Sequence, residues 1–505
     1  MLGTISRSLA AGLLLGGVAA AGANAESVIR IGLQEDPDSF DPARAYSFVG
    51  RIVLTSLCNK LIDAAPDLHF VPQLALSWET SADGKTVTFR LRPGVKFSDG
   101  TELDAAAVAL NLDRAMHLPE SRRKSEVAAL DTVDVIDPLT VRLNLKNPFA
   151  PLIAQLSDRA GLVASPKALK NPAGFDQAPA CSGPFKMAER VVQDHIALVR
   201  DPNYWDAGRI HIDRVEFRII PDPAVRLANL RAGALDFAER ILASDVAGLK
   251  ADPRFKVLVG PSLQYNGITI NIANGTGGNP DFAKTPQLRE ALDLAIDRDA
   301  INQVLFAGNA VPDNQPQPVS SPYHSPDRPM QPRDLARAQS LVKASGVTHP
   351  TLELMVINSA DQAQLGQMLQ SMAADAGIEI KLKTLEFQTL LSQQAKGDYQ
   401  ASLIGWSGRV DPDGNIYTLL GCKSPTNDCR YCEPTAEALL LGGQAETNLE
   451  ARQKLYHQAI DKIVDDRPII YLYHPPLIQA MTAKLTGFGF HTDGLIRLQD
   501  VQYSP

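Results

Sequence analysis

Apolar positions along this chain recur with two periods, and the changes from one to the other lay out its elements. Alternation at every second residue over Val28–Leu33, Thr86–Leu91 and Thr140–Leu145 predicts strands buried on one face, with Val87, Phe89 and Leu91, and Val141, Leu143 and Leu145, pointing inward. Other apolar runs predict strands over 191–199, 215–220, 268–272, 352–357, 379–385, 401–406 and 468–473. Spacings of three and four predict helices over 50–62, 105–116, 224–231, 286–296, 300–306, 334–344, 362–376 and 450–464. Asp104 is placed to cap one helix, and Pro286 after Thr285 suits the first turn of another. Gly233, Gly308, Gly346 and Gly377 supply helix stops, because glycine accepts the left-handed conformation.

Two kinds of organisation follow. Strand, helix, strand between residues 72 and 145 predicts a small α+β insert, ending in the proline-rich span 147–179. From residue 286 onward helices and strands alternate, which predicts an α/β sheet covered by helices, and the connector 275–280 is read as a domain crossing. Ligands of such sheets bind at loops beyond the carboxyl ends of the strands.

Residues 403–420, LIGWSGRVDPDGNIYTLL, form such a loop. Ser407-Gly408 and then Asp411-Pro412-Asp413-Gly414 break the preceding strand, since proline fixes φ and glycine tolerates φ > 0. Trp406 offers an apolar wall, Arg409 a fork of donors for an anion, and Asp411 and Asp413 acceptors. A plain turn, a core tryptophan and a local Arg409–Asp411 pair is the competing reading of the same residues.

The amino terminus changes the setting. Residues 1–25 carry one charge, Arg7, an apolar run over 9–21, and Ala23-Asn24-Ala25 before Glu26, the pattern of a cleaved secretory signal peptide. No cysteine follows the run, so a lipoprotein is not expected, and no later stretch reaches the roughly 20 apolar residues of a membrane span. The 480 residues left (505 − 25) exceed the usual limit of one core, so two or three domains are expected. Loss of Arg7 takes the net charge from −8 to −9, which argues against nucleic acid or anionic membrane as partner.

Cys58, Cys181, Cys422, Cys429 and Cys432 are odd in number, so one at least stays outside an internal pair. Zinc is the alternative use of Cys429-x-x-Cys432, but no second pair or histidine follows at ligand spacing. A short-loop disulfide, Cys422–Cys432, is therefore expected. The nine histidines show no H-x-H or H-E-x-x-H spacing, and no G-x-S-x-G elbow, Walker loop or dinucleotide fingerprint is present. Cys181-Ser182-Gly183 is followed by Pro184, which suits a turn better than a nucleophile elbow. A secreted hydrolase with a spatially assembled triad remains the alternative class.

Several of these stretches together resemble one family, the extracytoplasmic solute-binding proteins of ABC importers of the dipeptide/oligopeptide type, family 5. They are SFDPARAYS at 39–47, residues 71–116 from VPQLALSW to NLDRAM, SGPFKM at 182–187, residues 200–238 from RDPNYWD to ALDFA, LREALDLAIDRDAINQVLFAG at 288–308 and GWSGRVDPDGNIYTLLGC at 405–422. The resemblance implies an α/β, two-lobed periplasmic-binding-protein fold of the cluster C type with an extra α+β domain. Its expected divisions are first lobe 26–70 and 179–273, extra domain 71–178, second lobe 274–481, and a return to the first lobe over 482–505. It also implies a monomer that closes on a peptide or peptide-like solute and delivers it to a permease, with no cofactor, catalytic residue or metal. An opine or sugar conjugate, haem or a metal chelate is the alternative cargo.

The departures bear on the ligand. Dipeptide-binding relatives hold the peptide amine with an aspartate three residues after the matched tryptophan, where this chain has Arg409, and they carry a carboxylate-binding arginine that is missing from VINSA at 356–360. An anionic or neutral ligand group is thus expected at Arg409. The residues expected to line the cleft are Trp406, Arg409, Asp411, Tyr265, Asn266, Ser39 and Tyr46, while Asn271 and Pro412 are read as structural.

Overall fold

A computed structural model describes residues 26–504, so the expected signal peptide lies outside the described residues. Val28–Leu33 forms the middle of a seven-stranded sheet, parallel to Arg214–Ile219 on one side and Phe237–Glu239 on the other. Its alternation buries Ile29, Ile31 and Leu33 completely. Helix Phe48–Leu57 packs into the same core, started by Ser47, whose side chain accepts from Gly50 N at 3.1 Å.

The expected strand 191–199 is instead a hairpin of Phe185–Val191 and His195–Arg200. Gln193, in the left-handed region at φ 62°, turns the chain where apolar content alone suggested continuity.

A second, six-stranded sheet runs in the order Val311–Pro312, Ile469–His474, Tyr265–Ile270, Ala401–Trp406, Thr351–Ile357, Glu379–Leu385. Helices Pro286–Ala295 and Ala360–Asp375 bury their apolar faces against it, Leu288, Ala291 and Leu292 among the fully buried residues. The chain passes between the two large sheets twice. It leaves strand Phe255–Gly260 of the first and enters Tyr265–Ile270 of the second, then returns between Ile469–His474 and Leu477–Thr482.

Both crossings therefore precede the expected boundaries at 273/274 and 481/482. The glycine-rich connector at 275–280 resembles a linker in sequence but is anchored at its start: the Asn271 amide donates to the carbonyls of Asn274, Gly397 and Tyr399 at 2.9, 3.2 and 2.9 Å. Those bonds fix the turn inside the second lobe, and prolines 261, 475 and 476 occupy the real crossings.

The insert is a four-stranded antiparallel sheet, Ala75–Thr80, Thr86–Leu91, Thr140–Leu145 and Leu130–Asp137, under helix Ala105–His117. Asp104 caps that helix, accepting from Ala107 N at 2.8 Å. The two strands with clean alternation form the middle of this sheet. The flanking pair is mostly exposed and carries polar residues on both faces, so it leaves little periodic trace.

Cys422 pairs with Cys432, as expected, and Cys58 with Cys181, while Cys429 is a buried free thiol.

Candidate ligand-binding site

Between the lobes, beside the two crossings, lies a cavity of about 750 Å³ lined from both sides. On the first lobe the loop after Val28–Leu33 is folded back by Asp38, whose carboxylate accepts from Tyr46 N at 2.7 Å, Ser47 N at 3.0 Å and Ser47 Oγ at 2.6 Å. That turn carries Tyr46 to the cavity wall, where its ring centroid lies 6.0 Å from that of Trp406 on the second lobe. Trp406 is held from behind, its Nε1 donating to Gly414 O and Asn415 Oδ1, both at 3.1 Å. The Asp-Pro-Asp-Gly turn thus positions the indole. Tyr265 pairs with Trp406 across adjacent strands, and Asn266 follows it into the cavity lining.

Tyr46, Tyr265, Asn266 and Trp406 are thereby brought together; Ser39, Arg409 and Asp411 are not. Ser39 Oγ donates to Asp176 Oδ1 at 2.9 Å, within the first lobe: residues 162–178, expected in the insert, carry Leu162, Leu169 and Phe175 into the first-lobe core. Asp411 makes a two-pronged pair with Arg452, at 2.7 and 2.8 Å, and accepts from Asp413 N at 3.0 Å to start the short turn. Arg409 lies behind Trp406, its guanidinium carbon 4.5 Å from the indole centroid, with Nε 2.7 Å from Asp158 Oδ2 of the insert. Its charge is met by a carboxylate more than two hundred positions away in the chain, so the expected anion contact at Arg409 is corrected to an internal ion pair. The local Arg409–Asp411 pair does not form either.

The charges that do reach the cavity come from elsewhere. Arg240 has φ 49°, stacks on Phe48 with 5.4 Å to the ring centroid, and donates from Nη2 to Gln264 Oε1 at 3.0 Å, which leaves Nη1 without a partner among the described residues while Nε is buried and unbonded. Arg226 is fully committed, bonding the carbonyls of Ile220, Pro221, Glu239 and Arg240 at 2.6, 2.8, 3.3 and 3.1 Å, and so fixes the loop that presents Arg240.

Burial pushes the Glu35 carboxyl up to about 7, opposed by Arg240 and reinforced by Glu239. Asp428, 9% exposed, has no side-chain hydrogen bond or ion pair among the described residues. Burial pushes it up to about 6 against the pull of Arg122 and Arg430. Arg122 stands over Tyr46, 5.4 Å from the ring centroid. Sequence offered one signal for Asp428: it sits inside the loop closed by Cys422–Cys432. Glu35 opens the Pro- and Asp-rich stretch 35–42, EDPDSFDP, whose composition marks a loop that could line a cleft or be a solvated turn; Arg240 had no such signal. No group of three His, Cys, Asp or Glu side chains is placed to hold a metal among the described residues.

Two lobes, two crossings and a cavity walled by both define a hinged binding protein. The family model for bacterial extracellular solute-binding proteins, family 5, matches residues 69–427, and the chain belongs to that family. It is the substrate-binding component of an ABC importer; family and relatives are transport proteins, not enzymes.

Among curated relatives, the glutathione-binding protein GsiB of Pectobacterium atrosepticum is 30% identical over 479 residues, covering 92% of this chain and 91% of its own. The periplasmic binding protein DppA of Helicobacter pylori, solved with the peptide STSA, has a TM-score of 0.88 at 23% identity, covering 95% of this chain and 98% of its own. AgaA of A. tumefacien R10, solved with agropinic acid, has a TM-score of 0.86 at 24% identity, covering 95% of this chain and 99% of its own. At those identities the likeness to solved structures speaks for the fold.

Proposed function

We propose that this protein, exported to the periplasm and freed of residues 1–25 by cleavage, is an unacylated monomer that captures a small peptide or peptide-like solute and releases it unaltered to its permease. The observation that carries the ligand class is the pairing, in one interlobe cavity, of an unpartnered carboxylate on the second lobe, Asp428, with a guanidinium on the first, Arg240, that still has donors to give. A zwitterion spanning the cavity would bond Asp428 through its amine and Arg240 through its carboxylate, gripping both lobes. Only contacts that differ between open and closed forms can drive closure, and a ligand bridging the lobes supplies them.

Size supports the same class. A cavity of about 750 Å³ lies in the upper part of the roughly 300–1,000 Å³ range of small-molecule sites, roomy for a dipeptide. It suits a tripeptide or somewhat larger molecule with bridging water. The relative named for glutathione, itself a tripeptide, is consistent with that length. Tyr46, Tyr265 and Trp406 would supply the apolar wall, and Asn266 a polar contact.

The test is calorimetry with tripeptides, glutathione and their N-acetylated forms. A hydrogen bond to a charged group is worth about 1.5–3 kcal/mol, so Asp428→Asn should weaken a free-amine tripeptide by about tenfold to a hundredfold and an N-acetylated one hardly at all. Equal binding of both by wild type and variant would refute the assignment, and turnover of any of these compounds would refute transport.

A further inference from the structure

The cavity holds more acid than base once every internal bond is counted. Asp36 lies 3.6 Å from Arg190, Asp38 is saturated by the Tyr46–Ser47 turn, and Glu386 caps a helix by accepting from Thr389 N at 3.0 Å. Arg226 is bound to four carbonyls. Glu35, Asp361 and Asp428 remain without an ion pair among the described residues, Arg240 is the lining guanidinium with donors left, and by charge the lining holds six carboxylates to three guanidiniums. Arg122, over Tyr46, eases the excess at Asp428 but does not reach it.

Like charges facing one closed space destabilise the closed form, and a ligand that neutralises them closes the lobes more readily. From this imbalance we infer that the preferred cargo is a peptide of net positive charge, carrying a basic side chain beside its free amine and carboxylate. Asp428 takes the amine and Arg240 the carboxylate, so Glu35 and Asp361 are left as specificity determinants for the basic side chain. They stand on opposite lobes, Glu35 after the first strand and Asp361 in the first turn of helix Ala360–Asp375, so a cation between them also adds to closure. Burial raises the Glu35 carboxyl and Arg240 offsets it only in part, so a ligand cation beside it would favour the ionised form.

The inference rests on the peptide reading above, and one calorimetric series separates the two. Ala-Lys-Ala, Ala-Gln-Ala, Ala-Glu-Ala and glutathione would be titrated into wild type, Glu35→Gln and Asp361→Asn, each variant first checked for an unchanged thermal transition or a shift of a few degrees. Wild type should bind the lysine peptide about tenfold or more tighter than the glutamate peptide and glutathione, roughly one charge contact in a partly desolvated site. Each variant should reduce that ratio, chiefly by weakening the lysine peptide. Binding of all four with no preference, a preference for glutathione or the glutamate peptide, or a preference untouched by both substitutions overturns the charge inference and leaves the peptide reading standing. Failure of every peptide to bind overturns both.

Discussion

Arg409 Nε lies 2.7 Å from Oδ2 of Asp158, and this pair ties the second lobe to the insert behind the wall of the cavity. Arg51 of the first lobe joins it, with Nη2 3.1 Å from the same Oδ2 and Nη1 donating to Ser407 Oγ at 3.2 Å. The position that would hold a peptide amine in dipeptide-binding relatives thus contributes to a buried junction of three regions. Burial and Arg51 lower the Arg409 guanidinium to about 10, against the pull of Asp158, so it stays charged at neutral pH.

Removing Arg409 takes away one guanidinium partner of Asp158 and leaves Arg51 in place. Arg409→Met should therefore cost about 1–3 kcal/mol, the worth of one charged hydrogen bond, and lower the melting temperature by a few degrees. Peptide affinity should fall less than in Asp428→Asn, because Arg409 does not face the cavity. Differential scanning calorimetry and isothermal titration on the same preparations distinguish these outcomes; a variant of unchanged stability that no longer binds would put Arg409 back in the site.

Ligand affinity should depend on pH through Asp428. An ammonium needs the ionised carboxylate, which burial holds at about 6, while a peptide amine loses its proton at about 8, so affinity is greatest near pH 7 and falls by about tenfold at pH 5. The sign is opposite for the ligand-free fold. An acid whose folded pKa lies above its unfolded value of about 3.9 favours the folded state increasingly as pH drops through 6. Dissociation constants measured across that range should show the slope in wild type and lose it in Asp428→Asn.

The two disulfides should separate by function. Cys422–Cys432 closes a loop of sequence separation 10 around Asp428, whereas Cys58–Cys181 joins residues 123 apart within the first lobe core. Cys422→Ser with Cys432→Ser should weaken binding of a free-amine peptide by freeing the loop, with a stability loss of about 2–3 kcal/mol. Loss of Cys58–Cys181 should lower stability more, by about 4–5 kcal/mol in the loop-entropy account, with the cavity lining intact. Urea unfolding and calorimetry on each pair of variants measure both quantities.

Cys429 should be inert in the native protein. Its thiol is buried, burial pushes it up to about 12, and its Sγ lies 3.2 Å from Asn427 Oδ1. An alkylating reagent at pH 8 should label no cysteine in the folded, oxidised protein and one in urea. Rapid native labelling would mean that the wall beside Asp428 opens.

The chain itself determined its elements. Strands Val28–Leu33, Thr86–Leu91, Thr140–Leu145 and Ala401–Trp406 follow from their apolar pattern because each meets a core on a fixed face, and cap and stop residues placed most helix ends within a few positions. The crowding of aromatic and turn residues at 403–420 also marked a wall of the cleft. Tertiary structure alone decided which polar groups face that cleft. Whether Arg409 meets a ligand or Asp158, and whether Arg240 and Asp428 face one space, depends on how separate lobes meet, and pairing between residues hundreds of positions apart leaves no periodic mark in either segment. The crossings moved for the same reason: side chains such as Asn271 secure a glycine-rich stretch through bonds that only the folded sheet brings within reach.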